Sequence, residues 1–424
     1  MILLLAVIII VLVLTGLPVF AGILAAAMIG LYTSGVSFSA IPIEIYRLSA
    51  SPILLAIPLF TFAGYLLSEG STSERLVRFS KSVFGWIPGG LGVVALLSCS
   101  FFTAITGATG ITIIALGGLL LPALMSEKYT ESFSLGLMTS SGSLGLHFPP
   151  SLPIILYGFV SGVSIERLFL AGLLPGIIMV GALCLFSVYM GTRWKLERPG
   201  FSVLEFFEAL KGAAWELPIP LLIIAGIYTG FCTATEAAAL TVVYVFLIKV
   251  LVFKEIHGYK DLFRIMVDSV KMVGGIMIIL GSSLGLTNYL VDAFVPMKIL
   301  EAIEGIVGSR LGFLLIMNLF LILVGCMMDI FSAILVVVPL IMPLADRFGV
   351  DPVHLGVIFL ANLGIGYNTP PVGLNLFIAS SRFDRPILQL YSATLPFLIL
   401  LLFTLLLITY WPSLSLFLPG LLNP

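Results

Sequence analysis

Residues 366–372 read Gly-Tyr-Asn-Thr-Pro-Pro-Val, and residues 145–151 read Gly-Leu-His-Phe-Pro-Pro-Ser, 221 positions earlier. Each segment interrupts a long apolar stretch at its Pro-Pro pair. Two further landmarks repeat at nearly the same spacing: Leu-Pro at 121–122 with Met-Pro at 342–343, and Leu-Gly at 91–92 with Leu-Gly at 311–312. A shared spacing at separate landmarks indicates that one unit was duplicated.

The composition is that of a protein embedded in a membrane. Hydrophobic residues make up 60% of the 424 residues and charged residues only 10%, whereas soluble domains carry roughly 25% charged residues. A crossing needs about 20 mostly apolar residues, so the chain has room for roughly ten. The net charge of −1 suggests no nucleic-acid partner. The first apolar segment lacks a basic start and a cleavage site, so we expect it to be retained.

Each half of the chain repeats the same series of apolar segments. The first half predicts spans at 2–15, 18–33, 52–68 and 168–192, an interfacial arm at 34–50, a helical hairpin at 88–125 and a broken span at 133–162. The second half predicts spans at 216–230, 235–252, 271–290 and 387–411, an arm at 254–270, a hairpin at 311–345 and a broken span at 352–380. The two repeats are therefore 1–192 and 216–424, joined by a linker at 193–215.

The fold class that follows is an all-α polytopic membrane protein with five spans and one re-entrant hairpin in each repeat. We expect each hairpin helix to be too short to cross alone. Because five is odd, the second repeat should be inverted relative to the first. Of the 20 Lys and Arg residues, 15 fall on one side of this topology, and the positive-inside rule makes that side, with the linker, cytoplasmic.

The predicted hairpin turns are polar although they lie within apolar segments. The first turn, at 103–110, contains three threonines, and the second, at 325–332, contains Asp329 and Ser332. A broken helix exposes carbonyls at one end and amides at the other. Carbonyls and hydroxyls suit a sodium ion, whereas amides at a helix N-terminus suit a carboxylate. Two hairpins facing two broken spans thus predict two cation sites beside one anion site.

Several polar residues in apolar segments admit a structural role as well as a functional one. Asp329 can line a site or cap the helix that follows it. Glu236 follows Thr-Ala-Thr and suggests helix capping. His147 can complete a hydrogen-bond network or contact a proton or substrate. Asn362 and Asn375 can hold the second broken span together or touch the substrate.

Other chemistry finds little support in the sequence. No phosphate-binding loop is present, so the chain does not itself hydrolyse ATP. Three histidines and four scattered cysteines give no metal-ligand spacing. An intramembrane hydrolase, using Ser141, Ser143, Ser151 and His147, is a remote alternative, because serines commonly join membrane helices. The prediction is that the chain is not an enzyme and needs no cofactor other than sodium as the coupling ion.

These motifs resemble the large membrane subunit of tripartite ATP-independent periplasmic (TRAP) transporters over essentially the whole chain. Residues 362–377 are similar to the family's N-L-x-I-G-x-x-T-P-P-V-G-x-N-L-F. Residues 145–153 match G-x-x-x-P-P-S-x-P, and residues 233–237 match T-x-T-E-A. One departure lies in the first hairpin, where residues 106–109 read Thr-Gly-Ala-Thr in place of S-G-S-S.

The resemblance implies a set of site residues by position. The first sodium site would comprise Thr103, Thr106, Gly145, Phe148 and Pro150. The second would comprise Gly325, Gly366, Thr369 and Val372, largely through backbone carbonyls. The candidates for substrate contact or gating are Asp329, Thr109, Ser151, Asn368 and Asn375.

The resemblance also implies partners and a mechanism. We expect an importer in the bacterial or archaeal inner membrane, driven by a sodium gradient and moving a small carboxylate such as a C4-dicarboxylate. A small membrane (Q) subunit and a periplasmic substrate-binding protein would complete it. The hairpins and broken spans would slide against a scaffold, as in an elevator. A stand-alone dicarboxylate symporter or cation/proton antiporter remains the alternative, and an ion channel would not need hairpins from both sides.

Overall fold

The structure, a computed structural model, describes residues 18–49, 52–196, 200–293 and 309–422. The regular secondary structure of these residues is helical throughout. Seven of their helices are long and apolar enough to cross a membrane, and one bent pair of helices brings the total to eight. The predicted all-α membrane class is confirmed. The span predicted at 2–15 lies outside the described residues.

The helices of the described residues divide, in chain order, between the two halves of the chain. Those of the first half are α1 Val19–Thr33, α2 Ala40–Ser49, α3 Ala56–Ser68, α4 Thr72–Phe84, α5 Gly90–Thr106, α6 Thr109–Ser126, α7 Glu131–Ser141, α8 Leu152–Ser161 and α9 Ile165–Arg193. Those of the second half are α10 Val203–Ala213, α11 Ile219–Tyr228, α12 Ala234–Leu247, α13 Tyr259–Asp292, α14 Arg310–Met327, α15 Ile330–Arg347, α16 Pro352–Gly366, α17 Leu374–Phe383, α18 Ile387–Tyr410 and α19 Ser413–Leu422.

Two helical hairpins and two broken helices correspond between the halves. Helices α5 and α6 form the first hairpin, and α14 and α15 form the second. Helices α7 and α8 are bent by 46° around the first Pro-Pro pair, and α16 and α17 flank the second pair. The peptide bond within each Pro-Pro pair is cis.

The hairpin helices occupy nearly the ranges predicted at 88–125 and 311–345. They contain 17 or 18 residues each, or about 26 Å at 1.5 Å per residue. Three of the four satisfy the length and composition of a candidate membrane span, yet about 26 Å is less than the roughly 30 Å of a hydrocarbon core, so the expectation that each is too short to cross alone stays a prediction. The turns between the hairpin helices are two residues long, 107–108 and 328–329, and the second contains the polar residue Asp329. What sets the hairpins apart is the site that their tips form.

Side-chain caps fix where several helices begin. Thr130 caps α7, Ser164 caps α9 and Asp351 caps α16, which also starts with Pro352. These side chains accept hydrogen bonds from amides that the first helical turn leaves without a partner. Each of these three helices therefore starts at a defined residue.

The predicted arms appear in two different forms. Helix α2 is a short separate helix within the arm predicted at 34–50. The arm predicted at 254–270 is instead the start of the 34-residue helix α13, which continues without a break through the span predicted at 271–290. Two further amphipathic helices, α4 and α10, pack against each other and were not predicted as separate elements.

Helix α13 and its neighbours lie beside the hairpins. Helix α13 packs against α1 and α3, and it also contacts α15 of the second hairpin. Helix α9 packs against α5 and α18. A single large cluster of buried apolar side chains runs through both repeats, so the two halves share one core.

A buried charge cluster, Arg75, Glu216, Lys249 and Glu255, joins both halves near the start of α4. Arg75 pairs with Glu216 at 2.5 Å and with Glu255 at 2.6 Å. Lys249 is fully buried, and its ammonium group donates to the Glu69 carbonyl and to Glu255 at 2.6 and 2.5 Å. Each charge is therefore compensated, which burial of ionised groups requires.

Candidate functional site

The segment 142–151 between α7 and α8, which we call the first break, touches the first hairpin through a glycine. A Cβ on Gly145 would lie 2.6 Å from the Ala104 amide nitrogen and 2.6 Å from Thr103 Cβ. Thr103 Oγ1 donates to the Gly142 carbonyl at 2.9 Å, at the start of the break. Only glycine at 145 lets the backbones approach this closely. The structure thus brings Thr103 and Gly145, two residues predicted for the first sodium site, into contact.

The other residues predicted for the first site lie around this contact. Thr106 Oγ1 donates to the Phe102 carbonyl of its own helix at 2.9 Å, and the following Gly107 packs against Leu152. The Phe148 ring points at Gly176 of α9 rather than at the hairpin. Pro150 is buried within the break.

The segment 367–373 between α16 and α17 is the second break. The second hairpin makes the same kind of contact with the glycine just before it. A Cβ on Gly366 would lie 2.7 Å from Gly325 Cα. Gly366 and Gly325 each follow their counterparts Gly145 and Ala104 by 221 positions. The internal repeat inferred from sequence spacing therefore reappears as an equivalent contact in three dimensions.

Thr369 and Val372 complete the second predicted site. The Thr369 amide donates to the Gly366 carbonyl at 2.9 Å, and its hydroxyl donates to Ile365 at 2.9 Å. Val372 is 39% exposed. Its neighbour Gly373 donates to the Cys326 carbonyl at 2.9 Å, which ties the end of the second break to the second hairpin.

The two breaks are joined to each other by asparagine side chains. Asn368 Nδ2 lies 3.4 Å from Ser143 Oγ, and Asn375 Nδ2 lies 3.5 Å from the Thr139 carbonyl. The two asparagines also contact each other at 3.4 Å. Ser151 is fully buried, and its hydroxyl has no hydrogen-bond partner among the described residues. Asn368 and Asn375 therefore help to hold the two broken helices together.

Both hairpin tips open into one cavity of about 330 Å³, which we call the tip cavity. Thr109 and Asp329, two predicted candidates, lie in its wall. Its lining consists of Tyr65, Gly107, Ala108, Thr109, Gly110, Ile111, Ile114, Met272, Asp329, Ile330, Phe331, Tyr367, Leu374 and Ile378. The first hairpin, the second hairpin and the second break therefore converge on the same space.

Asp329 serves both as a helix cap and as part of the cavity wall. Its Oδ1 accepts from the Phe331 and Ser332 amides at 3.0 Å each. Its Oδ2 accepts from the Ser332 hydroxyl. Tyr367 accepts from the Ile330 amide at 2.5 Å, so the amides at the start of α15 are occupied by protein groups.

The first hairpin has no equivalent cap. Ala108 precedes Asp329 by 221 positions and stands at the same place, before the second helix of its hairpin. It has no side chain that can accept from the first amides of α6. The two helix N-termini that meet the tip cavity therefore differ, because one carries its own carboxylate and the other does not.

The remaining polar residues in apolar segments have mainly structural contacts. Glu236 and Thr233 form a reciprocal capping box at the start of α12, which confirms the capping interpretation of Glu236. Asn362 donates to Asn318 at 2.7 Å and to the Ile358 carbonyl at 2.8 Å, so it joins α16 to α14. The His147 ring is buried, and neither of its nitrogens has a hydrogen-bond partner in the described part of the chain.

The remote hydrolase alternative has no supporting geometry. Ser141 donates to the Met138 carbonyl of its own helix, and Ser143 lies next to Asn368. None of the three serines is hydrogen-bonded to His147 among the described residues. A nucleophilic serine needs a base within hydrogen-bond reach.

Sequence reasoning missed most of the cavity wall, and the reasons differ between residues. Tyr367 lies within the second break. Its place between Gly366 and Asn368, both predicted site residues, could have marked it as a site residue too. Tyr65 of α3 and Met272 of α13 come from helices outside the hairpins and breaks. Nothing local in the sequence marks them, because only the packing of distant segments brings them to the cavity.

Comparison with known proteins adds an independent finding. Residues 6–414 match the model of the family described as "Tripartite ATP-independent periplasmic transporter, DctM component". The chain is 32% identical to the C4-dicarboxylate TRAP transporter large permease protein DctM of Rhodobacter capsulatus, over 97% of each chain. It is 33% identical to the ectoine TRAP transporter large permease protein TeaC of Halomonas elongata, over 96% of each.

Two further similarities concern a longer protein and a solved structure. The isethionate TRAP transporter permease protein DctMQ of Oleidesulfovibrio alaskensis is 33% identical over 96% of this chain, which spans 63% of that protein. The crystal structure of the YdaH transporter of Alcanivorax borkumensis aligns with a TM-score of 0.60, covering 86% of this chain and 85% of that one. At 12% identity, this second similarity concerns the fold alone.

Proposed function

We propose that this chain, which belongs to the DctM family of tripartite ATP-independent periplasmic transporters, imports a small organic acid across the bacterial inner membrane by coupling it to sodium. Its relatives are named transporter permeases, and the chain is a transport subunit rather than an enzyme. Sodium as the coupling ion and a carboxylate as the cargo are the finer parts of the proposal.

The observation that carries the proposal is the tip cavity. A cavity of about 330 Å³ falls within the size range of small-molecule sites, roughly 300–1,000 Å³. Non-helical backbone inside a membrane is tolerated where it is buried in protein or lines a polar cavity. Here two hairpin turns and one helix break meet at a single cavity, as expected if a substrate binds between the repeats.

The difference between the two hairpins suggests where an anion binds. At α15 the Asp329 carboxylate accepts from the first amides, whereas at α6 Ala108 leaves them without a side-chain cap. Amides at a helix N-terminus stabilise a negative charge. A carboxylate of the substrate would accept hydrogen bonds from the first amides of α6, as Asp329 does at α15. Repulsion from the Asp329 carboxylate would also favour binding of that anion at the α6 end of the cavity.

The two hairpin–break contacts offer neutral oxygen atoms for sodium. The hydroxyls of Thr106 and Thr369 donate to carbonyls in their own segments, so their oxygen lone pairs stay available to a cation. No group of three or more His, Cys, Asp or Glu side chains that could hold a metal ion occurs in the described ranges. The donors are therefore hydroxyls and carbonyls, which suit a hard monovalent cation.

The proposal includes partners and a motion. A small membrane (Q) subunit and a periplasmic binding protein would complete the transporter, with the binding protein delivering the substrate. Tyr65 and Met272, from α3 and α13, form the part of the tip-cavity wall that neither the hairpins nor the broken helices supply. An elevator motion would carry the hairpins and broken helices past this wall, exposing the cavity to each side in turn.

Uptake into proteoliposomes tests the proposal. The chain is reconstituted with its small subunit and binding protein, and uptake of radiolabelled succinate and a panel of small organic acids is measured. We expect accumulation of at least one acid with an inward sodium gradient, and its loss when potassium replaces sodium or when monensin collapses the gradient. Equal uptake with and without the gradient would overturn sodium coupling.

A further inference from the structure

A second cavity lies next to the tip cavity. It has a volume of about 440 Å³ and is lined by Ile114, Phe377, Ile378, Ser381 and Arg382. Ile114 and Ile378 also line the tip cavity. The two cavities therefore meet at this pair of isoleucines, one on α6 and the other on α17.

The barrier between the two cavities consists of the Ile114 and Ile378 side chains, where α6 and α17 pack against each other. Glycines on α6 let α17 approach: a Cβ on Gly110 would meet the Ile378 side chain at 2.7 Å, and one on Gly118 would meet the Arg382 guanidinium at 2.0 Å. The nearest atoms are thus the ends of flexible side chains rather than backbone. The contact between α6 and Ile378 is therefore made by a side chain that has rotamers of its own.

Arg382 supplies a positive charge to the second cavity. Its Nε donates to the Ile114 carbonyl at 2.9 Å, which fixes the guanidinium beside the barrier. Among the described residues, no carboxylate forms an ion pair with Arg382. Its neighbour Arg385, by contrast, pairs with Glu131 at 2.6 Å.

We propose that the second cavity is the release path of the transported anion, with Ile114 and Ile378 as its barrier and Arg382 as an anion-binding residue at its outer end. This rests on the proposed function, because an anionic cargo is what gives Arg382 a ligand. Arg382 also lies on the side that the Lys and Arg distribution predicts to be cytoplasmic. Planar guanidinium groups bind carboxylates by paired hydrogen bonds.

The path can be tested with charged thiol reagents and without any transport substrate. Ile111→Cys places a reporter in the tip cavity of a variant whose four native cysteines are replaced by alanine. Inside-out vesicles are treated with 2-sulfonatoethyl methanethiosulfonate or with its trimethylammonium counterpart, which is similar in size and opposite in charge. The ratio of the two modification rates measures the preference for anions along the path.

We expect Arg382→Gln to lower this ratio about tenfold, because a local charge raises the concentration of its counter-ion. Arg382→Lys should keep the ratio within a factor of about two, and Ile378→Trp should slow both reagents. Arg385→Gln is the matched control, since that charge is already paired, and it should leave the ratio unchanged.

Two results would overturn the release path. One is an equal ratio in Arg382→Gln and Arg385→Gln, and the other is modification of the reporter only from the periplasmic side. Size-exclusion profiles confirm that each variant is folded. Because the assay needs neither sodium nor uptake, its outcome is independent of whether the proposed sodium-driven import is correct.

Discussion

At the scale of single residues, Asp329 and Ala108 show how one repeated position has come to serve two purposes. Both precede the second helix of a hairpin, and both line the tip cavity. Asp329 stabilises its own helix through two amides, whereas Ala108 leaves the start of α6 to an incoming group. Under the proposed function, the duplication would yield a site with the Asp329 carboxylate at one end and room for an anion at the other.

We expect Asp329→Asn to fold normally, because the amide oxygen still accepts from Phe331 and Ser332, but to impair sodium-driven uptake strongly through loss of the charge. Asp329→Ala should in addition lose about 1 kcal/mol of stability, the usual value of an N-cap. Thermal unfolding and proteoliposome uptake measure the two effects. Uptake by Asp329→Asn at the wild-type rate and sodium dependence would reduce the residue to a structural cap.

The glycines at the hairpin–break contacts give a second prediction. A Cβ at Gly366 would lie within 3 Å of the Gly325 and Cys326 backbones, which cannot move aside as a side chain can. We expect Gly366→Ala to cost about 1–3 kcal/mol of stability and to weaken uptake by displacing the hairpin. Gly181→Ala in α9 is the control, since nothing lies within 4 Å of its Cβ. Equal unfolding temperatures for the two variants would contradict the proposed contact.

At the scale of helices and hairpins, the elements that a local sequence pattern marks were predictable. The hairpins and breaks were found because Gly and Pro interrupt apolar runs at repeated positions. Helices α4 and α10 were missed because their charged residues suggest loops until packing supplies partners, such as Glu208 of α10 for Arg78 of α4. The continuity of α13 was missed because its amphipathic first turns differ in composition from its apolar remainder.

The charge cluster around Arg75 should make stability depend on pH through Glu255. Burial alone would raise the pKa of Glu255, but hydrogen bonds from Arg75 and Lys249 outweigh it and lower the pKa from 4.5 to about 2. Because the pKa in the folded state is lower, the stabilisation is complete above pH 4.5 and is lost as the pH falls toward 2.

Glu255→Gln should therefore unfold at a lower temperature than the wild type at pH 7 and lose less stability on acidification. Unfolding temperatures in detergent between pH 7 and pH 3 measure this difference. Parallel curves for the variant and the wild type would show that Glu255 does not couple folding to protonation. Glu208→Gln is the control, because its ion pair with Arg78 is exposed and should contribute little.

At the scale of the whole molecule, the tip cavity was only partly predictable from the sequence. Thr109 and Asp329 were recognised because a polar residue at a turn inside an apolar hairpin is costly unless it has a role. Tyr65 and Met272 were not recognised, since an aromatic or a methionine in an apolar helix fits simple packing equally well.

The most direct test of the central claim is sodium binding to the purified chain, measured as the unfolding temperature in sodium chloride and in potassium chloride at equal ionic strength. A ligand that binds only the folded state raises its stability by mass action. We predict a higher unfolding temperature in sodium. Thr106→Ala and Thr369→Ala should each shift the sodium titration to about tenfold higher concentration, the effect of losing roughly 1.4 kcal/mol of ligand interaction. Identical unfolding temperatures in the two salts, for wild type and variants alike, would contradict the account.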